Sequence, residues 1–213
     1  MAAVPRGAVD HLRGADPILR ELIDGIEADG GLGRRGRRPV GRGDHYGALV
    51  RSIIGQQLSA KVAFVMNERL RERYDGRYPT PQEVLAEDPE KLRAAVGLSR
   101  GKVTFLRSLA EHVVDGSLEL DRMGKLSDED VIAKLVAVKG IGEWTAHMFL
   151  IFHLERPDVL PVGDLGVRSA IRTAYGLEEL PGPTDMERLA QPWRPYRSVA
   201  SRYLWRSLDN TPA

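Results

Sequence analysis

The sequence contains no cysteine among its 213 residues. That absence excludes a thiolate zinc site, a cysteine nucleophile and a cysteine-ligated iron–sulfur cluster, and it suits a reducing cytoplasm. Long apolar runs are missing as well. None approaches the roughly 20 residues of a membrane-spanning helix, and the N-terminal stretch "MAAVPRGAVDHLRGADP" lacks the apolar core of a signal peptide. A cytoplasmic chain with no membrane partner is expected. Charge of one sign is not in excess either: 31 Lys plus Arg stand against 30 Asp plus Glu, a formal net charge of +1. Any attraction to nucleic acid therefore has to be local.

Hydrophobic residues make up 42% of the chain, enough for one or two cores. They recur at helical spacing in about nine segments, while strand-like alternation is scarce. Among these are "DPILRELIDGIEA", an unbroken stretch from His45 to Tyr74, "TPQEVLAEDPEKLRAAVG", "SDEDVIAKLVAV", "EWTAHMFLIFHL" and "PYRSVASRYLWRSLD". Thr80 before Pro81, Ser127 with Asp130, and Thr184 with Glu187 have the form of helix N-caps, the last two as capping boxes. Gly97, Gly116 and Gly176 stand where helices would stop in a left-handed conformation. An all-α protein follows, one helical unit of two lobes. Central helices over 45–175 are expected to form one lobe, and the N-terminal helix with the C-terminal helices the other. No internal repeat or low-complexity linker is evident.

One local charge excess exists. "GRRGRRPVGRG" at 33–43 holds five arginines and no acid, which fits either a phosphate contact or a solvated basic loop. A sharper feature is "KGIGEWT" at 139–145. A capped helix precedes it and a second helix follows, so a helix-hairpin-helix is predicted over 128–152. Gly140 and Gly142 permit conformations closed to other residues and the close approach of another backbone. Main-chain N–H groups at the start of the second helix then form a sequence-independent phosphate site. A tight turn between two packed helices would use the same glycines.

The stretches "IIGQQLSAKVA", "GLSRGKVTFLRSLA", "AVKGIGEWTAHMFL", "DVLPVGDLGVR" and "WRPYRSVASRYLW" decide between these readings. In this order and spacing they resemble the helix-hairpin-helix superfamily of DNA glycosylases. The match covers about residues 16–208 and is closest to the 3-methyladenine DNA glycosylase II, or alkylbase, branch, in a compact form without the N-terminal β domain of some members. The resemblance implies a two-lobed helical fold with a cleft between the lobes. It implies a monomer working at the bacterial nucleoid on double-stranded DNA that contains alkylated bases, with the damaged nucleotide flipped out.

Residue by residue, the same resemblance places the catalytic carboxylate at Asp164, ahead of "LGVR". The plain alternative is a helix N-cap, and the two roles are compatible. Trp144 and Trp205 match positions that line the base pocket, where a ring can stack on a cationic base, and Met148 falls where some relatives have a further aromatic. DNA contacts map to Gly140, Ile141, Gly142 and Thr145 of the hairpin. A wedge into the duplex maps to Gln57, with Leu58 adjacent. No cofactor is required. A structural monovalent cation would rest on the main-chain carbonyls of Val136, Val138 and Gly140. The place of a lyase nucleophile, two residues past the last hairpin glycine, is Trp144 and not lysine, so a monofunctional enzyme is implied. Two other functions use parts of this pattern: a non-catalytic helix-hairpin-helix DNA-binding protein, and a glycosylase for deaminated or oxidised bases.

Overall fold

A computed structural model describes residues 4–5, 7–32 and 44–208 of the chain; the arginine-rich stretch at 33–43 lies outside the described residues. Every regular element among them is helical, as expected. The α-helices are α1 (Ala8–Ala15), α2 (Pro17–Ala28), α3 (His45–Gly55), α4 (Ala60–Arg73), α5 (Pro81–Ala86), α6 (Pro89–Val96) and α7 (Arg100–Val114). They continue with α8 (Asp128–Val136), α9 (Glu143–Phe152), α10 (Leu165–Ala174), α11 (Pro183–Leu189) and α12 (Arg197–Leu208). Short 3-10 turns at Leu120–Lys125 and Gln191–Trp193 complete the series. Among the described residues no helix is long and apolar enough to cross a membrane.

Local chemistry sets most boundaries. Thr80 accepts the Glu83 N–H at 3.2 Å while the Glu83 carboxylate accepts the Thr80 N–H at 2.7 Å. This is the reciprocal box, with Pro81 at the first helical position. Ser127 caps α8 through the Asp130 N–H at 3.1 Å, as a single cap and not the expected box, because the Asp130 side chain is one methylene shorter than the glutamate that closes the box at Thr80. Gly97, Gly116 and Gly176 all take positive φ just beyond helix ends, the conformation expected of them. Thr184 is a correction. The N-cap lies two residues earlier, at Gly182, and the helix starts at Pro183, because proline's fixed φ suits the first helical position.

The described residues form two compact units. One holds α1, α2, the end of α9 from Leu150, and α10 to α12; the other holds α3 to α8 and α9 up to Phe149. The central unit thus ends well before residue 175, and α10 belongs with the N- and C-terminal helices. In that first unit Leu12, Leu19, Ile23, Val167, Ile171, Trp193 and Tyr203 share one core. Buried Asp16 caps α2 through the Ile18 and Leu19 N–H groups. It also accepts the Trp193 indole N–H at 2.8 Å and the Tyr175 hydroxyl, so no polar atom there is stranded. Burial, then the bond to Asp16, pushes the Tyr175 phenol far above its usual range. The second unit buries Leu49, Ile53, Leu70, Leu106, Leu109, Val131 and Leu135.

Candidate functional site

In the unit of the terminal helices, the turn at Pro161–Asp164 delivers the expected carboxylate to the start of α10. The Asp164 N–H returns to the Pro161 carbonyl at 2.9 Å, and Oδ1 of Asp164 accepts the Val167 N–H at 2.7 Å as an N-cap. Side-chain capping and the positive end of the helix favour a carboxylate at this place. The same oxygen accepts the Trp205 indole N–H at 2.8 Å. Asp164 is only 7% exposed, so two donors hold it in one orientation.

Gly166 explains why "DLGVR" contains a glycine. A Cβ there would lie 3.1 Å from both Asp164 Oδ1 and Trp205 Cδ1, closer than ordinary contact, so the absent side chain makes room for the indole. Ser198 and Asp158 pin the segment that leads to the carboxylate. Val159 N–H donates to Ser198 Oγ at 2.9 Å, and Arg197 grips the Asp158 carboxylate at 2.7 and 3.0 Å. One helix, α12, thereby holds this segment at both ends, through Arg197 and Ser198 and then through Trp205 two turns on. Trp205 also meets Phe152, ring centroids 5.5 Å apart and planes 30° apart. Gly166 and Ser198 lie inside matched stretches and Phe152 just beyond one, but none of the three carries a sequence signal for the indole or the Val159 N–H that it meets.

In the other unit, α8 and α9 enclose the hairpin. Gly140 has φ +89°, and a Cβ there would stand 2.1 Å from the Phe105 ring of α7. Its glycine is therefore required twice, by conformation and by space. Gly142 differs from expectation: its φ is not positive, and a Cβ would meet nothing within 4 Å. The Gly142 carbonyl accepts the Ala146 N–H at 3.0 Å, which starts α9 and leaves its first N–H groups without intrahelical partners. Ile141 and Thr145, assigned as DNA contacts, are 3% and 4% exposed. They can reach a phosphate only through the main chain.

Trp144 is 47% exposed, and Met148 and Phe152 follow at four-residue intervals along α9, which puts the three on one face of the helix. On the same helix His147 is half-buried. Burial pushes its imidazole below 6.5, against the pull of the Glu143 and Asp128 carboxylates.

The wedge candidates occupy the break between α3 and α4. Gln57 adopts φ +55° and is exposed, with Leu58 half-buried beside it. A left-handed conformation costs a non-glycine residue about 1–2 kcal/mol, and such residues persist where the surroundings hold them in place. Gln56, the residue before, donates its side-chain amide to the Gly140 carbonyl at 2.9 Å. Lys102 of α7 donates to the Ile54 carbonyl at 2.7 Å.

The expected cation carbonyls can be checked against these bonds. Gly140 O accepts Gln56, and Val138 O accepts the Ile141 N–H at 3.0 Å. An ion at Val136, Val138 and Gly140 would share the Val138 and Gly140 carbonyls with these protein donors, each oxygen keeping a second lone pair for it. No group of three or more His, Asp or Glu that could hold a metal occurs among the described residues.

Residues 50–195 match the family described as HhH-GPD superfamily base excision DNA repair protein. The chain is similar to DNA-3-methyladenine glycosylase 1 of Schizosaccharomyces pombe, 33% identical over 92% of this chain and 85% of that protein. A solved structure of the 3-methyladenine DNA glycosylase of that organism, in complex with abasic DNA, superposes with a TM-score of 0.80. Its identity is 32%, over 95% of this chain and 96% of that one. A DNA-3-methyladenine glycosidase from Bacillus halodurans gives a TM-score of 0.80 at 33% identity, over 97% and 91% of the two chains.

Proposed function

The chain belongs to the HhH-GPD superfamily of base excision DNA repair proteins, and from that premise we propose that it is a monofunctional DNA glycosylase that removes alkylated purines from duplex DNA. The observation that carries the reading is Asp164, a buried carboxylate held by the Val167 and Trp205 N–H groups in a chain aligned along nearly its full length with proteins named for 3-methyladenine excision.

An alkylated purine is already cationic while attached and departs as a neutral base without prior protonation, so the barrier lies in the cationic sugar that is left behind. The negative charge of Asp164 stabilises that oxocarbenium-like state and orients the water that completes hydrolysis. Fixing the carboxylate beforehand avoids reorganisation at the moment of reaction. The exposed Trp144 ring offers a face to a cationic base, an attraction of about 0.5–2 kcal/mol. Most selectivity then comes from the weakened bond of the lesion itself. Gln57, presented on its left-handed turn, fills the space of the flipped nucleotide, and the main chain at Gly142 and the first turn of α9 grips a phosphate. No cofactor enters this scheme, and no lysine stands at position 144 to form a Schiff base.

Incubation with randomly methylated duplex DNA and chromatography of the released bases tests the proposal. Free methylated purine with the strand left intact is the expected product. Binding without release would instead identify a DNA-binding module.

A further inference from the structure

One matched stretch, "GLSRGKVTFLRSLA", has no part in the chemistry proposed above, yet α7, most of which it spans, touches both the α3–α4 turn and the hairpin of its unit. Three residues on successive turns do this. Lys102 donates to the Ile54 carbonyl near the end of α3 at 2.7 Å. Phe105 lies under Gly140, so close that no side chain fits there. Ser108 Oγ accepts the Lys139 N–H at 3.2 Å. One helix thus fixes the approach of the α3–α4 turn and of the hairpin. Gln56 closes the frame by donating its amide to the Gly140 carbonyl at 2.9 Å, across 84 residues of sequence.

We infer that Gln56 is a positioning residue that indexes the wedge turn to the phosphate-gripping hairpin, with the Lys102–Phe105–Ser108 face of α7 as the template for both. The inference rests on the proposed reading of Gln57 as the wedge and of the hairpin as the phosphate grip. Its physical logic is one of spacing. A side chain that fills the gap of a flipped nucleotide works only at a set distance from the anchored phosphate, and a small misplacement costs rate steeply. Gln57 stands on a strained left-handed turn that its own conformational preference would not hold. The bonds to Gln56 and Ile54 on its N-terminal side, and the Ser59 cap of α4 on the other, supply what the preference lacks. Gln56 itself is half-buried and reaches the hairpin, so its role is to act through Gln57.

The test uses the full chain with Gln56→Met, which keeps length and removes the donor. Duplexes carry a tetrahydrofuran abasic analogue beside 2-aminopurine, whose fluorescence rises on unstacking. Expected for the variant are affinity for undamaged duplex within about threefold of wild type, because the hairpin main chain remains, a fluorescence rise at saturation cut by about half or more, and single-turnover base release slowed about tenfold. Lys102→Met, which frees the end of α3, is expected to show the same pattern and serves if Gln56→Met melts early. Wild-type fluorescence and rate in both variants would overturn the coupling. So would an equal loss of affinity for damaged and undamaged duplex, which would make Gln56 a support of the hairpin alone. Wild-type protein that unstacks the reporter but releases no base would leave the coupling standing and sink the glycosylase reading.

Discussion

Asp164 performs two tasks with one oxygen, capping α10 and accepting the Trp205 indole N–H. Asp164→Asn keeps an acceptor oxygen for both donors and removes the charge. Base release should fall by at least about a hundredfold while binding to an abasic analogue and the melting temperature stay near wild type; single-turnover rates and binding isotherms check both. Trp205→Phe keeps a ring against Phe152 but loses the N–H. A hydrogen bond to a charged group contributes about 1.5–3 kcal/mol, so a drop of about tenfold or more in the single-turnover rate is expected. At this scale the sequence was legible where a residue's chemistry and its place in a motif coincide, as in Asp164 ahead of "LGVR". The Trp205 bond was not, because it spans 41 residues and neither side chain announces the other. Likewise Gly166 reads as a spare glycine until the indole beside it is seen.

The hairpin's two glycines separate at the scale of elements. Gly140→Ala places a methyl group into the Phe105 ring and an L-residue at φ +89°, so it should destabilise the protein by about 2 kcal/mol or more, seen in denaturant titration. Gly142→Ala has open space and should fold normally, yet weaken binding to damaged and undamaged DNA alike by about tenfold, about 1.4 kcal/mol. Unchanged affinity would reduce the hairpin to a core turn. Within α9, burial holds the His147 imidazole below its ordinary 6.5. The unfolded chain then takes up the proton first, so the contribution is full above about pH 6.5 and is lost as pH falls through the folded value. Melting temperature against pH should decline over that window, and His147→Gln should flatten it.

Periodicity revealed the helical class and most helices but merged neighbours. The run from His45 to Tyr74 keeps its apolar spacing through "GQQLS", yet α3 and α4 are separate, because Ser59 caps a new helix and Gln57 turns left-handed. Asp88 caps α6 ahead of Pro89, and a residue before proline resists the helical conformation, which splits 81–96 in two. Helix α1 went unread because its eight residues include Gly14 and a mixed polar face.

For the molecule as a whole, family membership and near-complete alignment with solved relatives carry the fold. The division of the chain followed contacts that no periodicity encodes: α10 packs with α12 and α2 in one core, so the central unit stops at Phe149. A chain with tryptophan at 144 and Lys139 ahead of the glycines should form no Schiff base. Borohydride should trap no covalent protein–DNA adduct; trapping that disappears in Lys139→Ala would place a nucleophile where none is expected.

The central claim, hydrolytic excision of alkylated purines through Asp164, is tested most directly by chromatography of the bases released from randomly methylated duplex DNA by wild type and Asp164→Asn side by side. Free methylated purines from the wild type, intact abasic strands, and no release above background from the variant are expected. Release by the variant at the wild-type rate, or none from a wild type that binds the DNA, would contradict it.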